Sequence, residues 1–331
     1  MNAFLKSGLF LLMLAGLPAC VAFPDAPPRS RDAALTETSL IAYDGAALSV
    51  TAWPAHDPGP VLIAVHGMND YANSFALPGE WWAQNASITT YAYDQRGFGR
   101  SPDRARWVGS KTLRADLLAA IDATRARHPA SPVYVLGHSM GAAVVLSAMA
   151  ETPLPVDGVI IAAPGVWGGS QMPLLYRLSA NAAAVFAPGK TLTGERAGRQ
   201  ATDNIDILRQ MQRDPNIVKE TRIKSVLGVT RIMGEAYDAT DEVGGRVLFL
   251  YGEKDEIIPV KAMKKAAGRL CGAVTVRVYP DGWHMLFRDL QRQRVWRDVA
   301  DWIKGADADR KALGGAGPEQ THCGSASQLQ N

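Results

Sequence analysis

From Leu40 onward the chain alternates short apolar runs of strand length with longer stretches in which apolar residues return every three or four positions. The runs are Leu40–Tyr43, Ala47–Trp53, Val61–Val65, Thr89–Tyr93, Val133–Leu136, Gly158–Ala162, Val247–Tyr251 and Val274–Tyr279. The later ones are continuous rather than alternating, as a strand must be when helices cover both faces of a parallel sheet. Between them Leu113, Leu117, Leu118 and Ile121 recur at helical spacing, and Ala142–Ala150 reads as a further helix. The pattern predicts a doubly wound, mostly parallel α/β sheet of eight strands.

One stretch breaks this rhythm. From Val166 to Glu242 there is no strand-like run, while helical patterns occur at Leu174–Phe186, Ile205–Gln212 and Val218–Met233. An insertion of that length is too long for a structureless loop, so residues 166–242 are expected to form a helical lid between two halves of the core, residues 37–165 and 243–305. Residues 306–331 are rich in Gly, Ala, Ser and Gln and read as a flexible tail.

The N-terminal residues carry an address rather than part of the fold. Lys6 precedes an apolar run, Leu9 to Leu17, followed by Leu17-Pro18-Ala19-Cys20. This resembles a bacterial lipoprotein signal, residues 1–19, with Cys20 as the lipidated first residue of the mature chain and the Pro- and Ala-rich residues 20–36 as a tether. Ordinary secretory cleavage near Ala22 is the second reading, and an uncleaved anchor the third. All three place the protein outside the cytoplasm, the first on the membrane of a bacterial envelope and the second as a soluble secreted or periplasmic protein. Cys271 and Cys323 would then meet oxidising conditions, yet are expected to stay unpaired. Lys and Arg number 35 against 32 Asp and Glu and are scattered, which argues against nucleic acid as a partner. The six histidines and three cysteines show no ligand spacing, so no metal is expected.

The chemistry concentrates at three places. Gly137-His138-Ser139-Met140-Gly141 fits G-x-S-x-G and stands between a predicted strand and a predicted helix, the setting of a nucleophile elbow. Gly137 and Gly141 are the positions where a side chain would collide with neighbouring backbone. A serine hydroxyl needs a base, and the base needs an orienting group. His284, in the turn after the last strand, is the candidate base. Asp255, after Val247–Tyr251, is the candidate orienter, ahead of Glu253 and Glu256. His138 and His66 are expected to be structural. The oxyanion donors are expected at the backbone N–H of Met140 and, in the loop His66-Gly67-Met68, at that of Met68. Trp81-Trp82 read as core, and Arg96, Gly97 and Gly99 as shaping a loop beside the site.

His66-Gly67, Asp94-Gln95-Arg96-Gly97-Phe98-Gly99-Arg100-Ser101, the elbow, Gly252-Glu253-Lys254-Asp255 and Gly282-Trp283-His284 together resemble the monoacylglycerol lipase and lysophospholipase branch of the α/β hydrolases, across residues 38–304. The family's triad and oxyanion positions fall on Ser139, Asp255, His284, Met68 and Met140. Its lid is echoed in Ala201-Thr202-Asp203-Asn204 and Arg213-Asp214-Pro215, while Met68-Asn69-Asp70 departs from the small and acidic residues often found there. The resemblance implies a cofactor-free serine hydrolase that cleaves lipid-like monoesters through an acyl-enzyme, with Leu174, Leu175, Leu178 and Phe186 offering an acyl pocket. Two rivals stay open. One is an aminopeptidase or C–C hydrolase on the same triad, for which Glu195, Glu235 or Glu242 could capture an amine. The other is a hydrolase-fold lipoprotein that only binds. Haloalkane dehalogenases and epoxide hydrolases are disfavoured because they carry Asp where Ser139 stands.

Overall fold

A computed structural model describes residues 21–193 and 198–312. In chain order its strands are β1 (Ala34–Leu35), β2 (Ser39–Ile41), β3 (Ala47–Trp53), β4 (Val61–Val65), β5 (Thr89–Tyr93), β6 (Val133–His138), β7 (Gly158–Ala162), β8 (Thr191–Thr193), β9 (Glu220–Arg222), β10 (Val247–Gly252) and β11 (Val274–Tyr279). All but β8 and β9 form one sheet in the order β1-β2-β3-β5-β4-β6-β7-β10-β11. The links from β1 to β5 are antiparallel and those from β5 to β11 parallel.

The continuous apolar runs follow from two cores, one on each face. Ile63, Val65, Val133, Val135, Ile161 and Phe249 point to one face, under the helices Ser110–Arg127 and Met140–Glu151. Their alternates Leu62, Ala64, Tyr134, Leu136, Ile160 and Leu248 point to the other, under Ala76–Ala86 and Arg292–Ala312. Trp82 is fully buried in that second core, its indole N–H donating to Trp296 O at 2.9 Å, and Trp81 packs on Trp296. Both belong to the far side of the sheet.

The chain leaves β4 toward β5 over one face, then returns across the other face to β6 on the opposite flank of β4. Adjacent parallel strands whose connections run in opposite directions open a crevice at their carboxyl ends. Here those ends are Val65-His66-Gly67 and His138-Ser139. The second opening lies between β7 and β10, which pair directly although 84 residues separate Ala162 from Val247 in the chain. The cap fills that connection with helices Leu174–Phe186, Ile205–Arg213 and Ile223–Ala239, the last packed on Met140–Glu151 through Val229, Ile232, Met233 and Ala236.

Five features depart from the sequence reading, the first being that the helix Arg292–Ala312 continues seven residues into the stretch 306–331 expected as a flexible tail. The sheet has nine strands rather than eight, because Ala34–Leu35 adds an antiparallel edge. The cap contains a small hairpin, β8 with β9, whose short runs carry no strand-like apolar pattern. Residues 21–36 are not a free tether. Ser30 and Arg31 N–H donate to Tyr43 O, Lys111 pairs with Asp25 at 2.6 Å, and Phe23 meets Trp107 edge-on at 6.3 Å. Lastly, Cys271 is disulfide-bonded, against the expectation that it stays unpaired. Cys20, Glu195, Cys323 and most of the tail lie outside the described residues.

Candidate active site

The elbow forms because β6 and the helix Met140–Glu151 are joined by a single residue. Ser139 sits at φ 55°, ψ −117°, a conformation that costs a non-glycine residue roughly 1–3 kcal/mol and persists only where the surroundings enforce it. They do: Ser139 N–H donates to Ala162 O at 3.0 Å, and Gly165 N–H donates to Ser139 O at 2.9 Å. The two flanking glycines permit the crossing. A Cβ at Gly137 would lie 2.6 Å from Ala142 Cα, and one at Gly141 only 2.1 Å from Val65 O.

Ser139 Oγ is 2.9 Å from His284 Nε2, and His284 Nδ1 is 2.8 Å from Asp255 Oδ2. An ionised carboxylate only accepts, so Nδ1 carries the ring proton and Nε2 is left to accept from the serine hydroxyl. Asp255 Oδ1 is occupied by the Ile257 and Ile258 N–H groups, at 2.8 and 2.9 Å. Burial alone would raise this carboxyl's pKa. The charge and hydrogen bond of His284, with the Ile258 and Ile257 amides, outweigh it and hold the group below its ordinary value. Glu253 and Glu256 stand outside this arrangement: Glu253 faces Lys264 at 3.7 Å and Glu256 accepts from Gln200 N–H at 2.7 Å.

The loop His66-Gly67-Met68, expected to supply an oxyanion donor, is held by its own hydrogen bonds. His66 is fully buried, and its Nδ1–H donates to Gly67 O at 2.7 Å while its Nε2 accepts from Gln95 N–H at 2.9 Å. Gln95 Nε2 also donates to His66 O at 2.7 Å. Burial lowers the pKa of His66, which keeps the ring neutral and this tautomer in place. Because a trans peptide sets C=O and N–H in opposite directions, fixing Gly67 O also fixes the Met68 N–H, which faces away from the His66 ring. Met140 N–H, at the first position of its helix, has no intrahelical acceptor. Gly67 adjoins the nucleophile: a Cβ there would lie 3.2 Å from Ser139 Cβ.

The motif Asp94–Ser101 braces this loop from behind. Asp94, fully buried, accepts from Ala72 and Arg100 N–H, and the backbone turns at Gly97 and Gly99, at φ 89° and 57°. Arg96 spans Asp44 and Asp116 in a buried ion-pair cluster.

His138 donates from Nε2 to His284 O at 2.9 Å and so holds the backbone of the base. Burial, with the neighbouring His284, pushes its pKa down to about 3, which keeps this ring uncharged beside His284. Residues that sequence reasoning missed surround the same turn. Asp289 accepts from Trp283 N–H at 2.8 Å; Met285 N–H donates to Ala201 O at 2.9 Å; Asn204 Nδ2 donates to Arg288 O at 2.9 Å. Arg199 donates to Glu256 O at 3.1 Å, in the turn that carries Asp255. The cap segment Arg199–Asn204 therefore grips both turns, that of Asp255 and that of His284. Its only sequence signal was the lid resemblance at Ala201–Asn204. Arg288 further pairs with Asp70, linking the turn that carries His284 to the loop after β4.

Leu174, Leu175, Leu178 and Phe186, expected to offer an acyl pocket, are largely exposed. Their exposures are 64, 78, 59 and 76%, and Tyr176 of the same helix is 61% exposed. Among the described residues no cluster of His, Cys, Asp and Glu could hold a metal ion.

The comparisons agree with this architecture. The sequence pattern of the family described as "serine aminopeptidase, S33" matches residues 56–291, a span that contains Ser139, Asp255 and His284. A monoacylglycerol lipase of Mycolicibacterium smegmatis is 24% identical over 275 residues, 81% of this chain and 96% of that protein. Among solved structures, a soluble variant of monoglyceride lipase from Saccharomyces cerevisiae superposes with a TM-score of 0.68 at 18% identity, covering 85% of this chain and 98% of that one. Monoacylglycerol lipase of Paleococcus ferrophilus does so with a TM-score of 0.64 at 20% identity, covering 77% and 98%. With most of its length matched by the family pattern and its fold shared with these enzymes, the chain belongs to the serine aminopeptidase S33 family, with the α/β-hydrolase fold.

Proposed function

We propose that the protein is a serine hydrolase that cleaves carboxylic esters of lipid-like monoesters, such as monoacylglycerols or lysophospholipids. The observation that carries the reading is the relay Ser139–His284–Asp255, whose two links are 2.9 and 2.8 Å. In this mechanism Ser139 Oγ attacks the ester carbonyl carbon while His284 Nε2 takes its proton. Asp255 stabilises the imidazolium, and the Met68 and Met140 N–H groups receive the oxyanion. His284 returns the proton to the departing alcohol, and an acyl group stays on Ser139. Water, deprotonated by His284, attacks that acyl carbon and releases the acid and the free serine.

The names of the relatives support the lipid-like substrate. An amine-capturing peptidase site is less well supplied, because Glu235 is engaged by Arg114 at 2.7 Å. We further propose that Cys20 carries lipid and holds the enzyme on the outer side of a bacterial membrane, motivated by Leu17-Pro18-Ala19-Cys20 after an apolar run. The test is to assay the purified mature chain and its Ser139→Ala variant against monoacylglycerols, lysophospholipids, short esters and aminoacyl amides. Turnover of monoesters, lost in the variant, is expected. Preference for the amides would overturn the ester reading, and mass spectrometry of the mature N-terminus decides the lipidation.

A further inference from the structure

Met68, expected to give one oxyanion donor, stands second in a four-residue turn whose shape depends on the residue after it. Asp70 N–H donates to Gly67 O at 3.4 Å and closes the turn Gly67–Asp70. Of its two central residues only Asn69 has a positive φ, 65°. A positive φ at the third position alone belongs to a type II turn, where glycine is usual and asparagine is the side chain that best tolerates the strain. The closing bond uses Gly67 O and Asp70 N–H, so the turn itself leaves Met68 N–H unengaged. On one side of Met68, Gly67 O is also fixed by His66 Nδ1. The other side is fixed only as firmly as Asn69 is.

The cap holds Asn69 from two directions. Asn69 Nδ2 donates to Thr221 Oγ1, in β9, at 2.7 Å, and Asn69 O accepts from Val218 N–H at 3.0 Å. Thr221 is itself paired with Leu192 across the cap hairpin. Val218 is buried in the core that contains Met140, and Met68 packs against that same core. Just beyond the turn, Tyr71 Oη donates to Asp214 Oδ2 at 2.6 Å, while Asp214 Oδ1 accepts from Asn216 N–H at 2.8 Å. The cap segment Asp214–Thr221 thus closes around the turn that bears Met68. Asn69 serves it twice, by accepting the left-handed backbone and by donating to the cap; glycine would supply only the first.

We propose that Asn69 is a positioning residue for the reaction: through Thr221 of the cap it holds the turn that aims Met68 N–H at the oxyanion. Its part is to steady the Met68 peptide rather than to meet the reacting atoms. The proposal rests on the serine hydrolase reading and on Met68 as a donor. An oxyanion donor contributes most once the carbonyl carbon has become tetrahedral, so a loosened turn should lower kcat and largely spare KM.

Asn69→Gly keeps the turn's conformation and removes the side-chain bond, and Thr221→Val removes the same bond from the cap side. Both are studied in the full mature chain at a temperature where thermal melting shows them folded. The readouts are kcat and KM for a soluble short ester and the Ki of a trifluoromethyl ketone of matching shape. Ser139 Oγ adds to the ketone carbonyl as His284 takes the serine proton, and the resulting hemiketal oxyanion occupies the place of the ester's. Loss of a whole oxyanion donor costs about 10²–10³-fold, so a donor that is present but less firmly held should cost about tenfold in kcat, with KM within about threefold. The ketone Ki should rise by about the same tenfold, and Thr221→Ser, which keeps the hydroxyl, should restore both. The double variant Asn69→Gly/Thr221→Val should fall no further than either single one, because all three lack one and the same bond. Folded variants with the parent's kcat and Ki would overturn the proposal, as would a loss of kcat at unchanged Ki or losses that multiply in the double variant. A parent that binds the ketone yet hydrolyses no ester would count against the ester reading alone. A parent that binds no ketone would remove the oxyanion assignment and the role of Asn69 with it.

Discussion

Replacing Asp255 with Asn tests the relay because the structure dictates which way the new amide must point. Oδ1 accepts from two backbone N–H groups, Ile257 and Ile258, at 2.8 and 2.9 Å. Only the carbonyl oxygen of an asparagine can take that place, so its NH₂ is driven toward His284 Nδ1. The imidazole must then accept at Nδ1 and carry its proton on Nε2. In that tautomer Nε2 donates to Ser139 Oγ and cannot remove its proton. Charge stabilisation of the imidazolium is lost at the same time. From the behaviour of other serine hydrolase triads the loss in kcat should be about 10³–10⁴-fold. At about 1.4 kcal/mol per tenfold, this is roughly 4–5.5 kcal/mol of barrier. The assay is steady-state hydrolysis of a soluble ester, with thermal melting to check folding, and the two amide hydrogen bonds should keep the melting temperature close to that of the parent. A folded variant within tenfold of the parent would refute both the orientation argument and the role of Asp255.

Three further outcomes follow from the same geometry. A fluorophosphonate probe should label Ser139, and Ser139→Ala should abolish the labelling; persistent labelling would place the nucleophile elsewhere. Gly141→Ala should destabilise the fold by several kcal/mol and remove activity, because its Cβ would fall 2.1 Å from Val65 O and 2.7 Å from His66 O, backbone atoms that cannot rotate aside. A melting temperature within two or three degrees of the parent would contradict that packing. Asp289 has its pKa raised to about 6, by burial first of all, so its protonated form is favoured in the folded state. A raised carboxyl contributes stability below its unfolded pKa, near 4, and loses it as pH climbs through about 6. Asp289→Asn should therefore gain on the parent between pH 4 and 7, by on the order of 1–3 kcal/mol. Parallel stability curves across that range would rule out the buried carboxyl as their source.

The sheet was legible because its physics is local. A strand buried on both faces must be apolar at every position, and Val61–Val65 and Gly158–Ala162 are apolar or glycine throughout. Leu174–Phe186 was legible for a similar reason, since its one-sided periodicity survives in the sequence. What escaped notice depends on partners far away in the chain. Ala34–Leu35 is two residues long and becomes a strand only by pairing with Leu40 and Ile41. Thr191–Thr193 has a single apolar residue, Leu192, and Glu220–Arg222 has none, so the two become strands only by pairing with each other. Phe23 stands alone as a large apolar residue between Val21-Ala22 and Pro24-Asp25, and only the distant Trp107, Lys224 and Arg231 make it an anchor point.

The site divides along the same line. Ser139 announces itself because its strained backbone requires glycines at fixed offsets on either side, and such requirements are written beside the residue they serve. His284 and Asp255 could be chosen by their places after strands. Their supports could not, because a support needs only one donor or acceptor at the right point in space. Ala201 contributes a carbonyl oxygen to Met285, and any residue type offers one. Gln95 and His66 exchange two hydrogen bonds across 29 positions, and His138 holds His284 O across 146. The cap segment Arg199–Asn204 is the clearest instance. It belongs to an insertion read as a lid over the site, yet it bonds to the turns that carry both Asp255 and His284. A cap tied in this way cannot lift as one body without loosening the base.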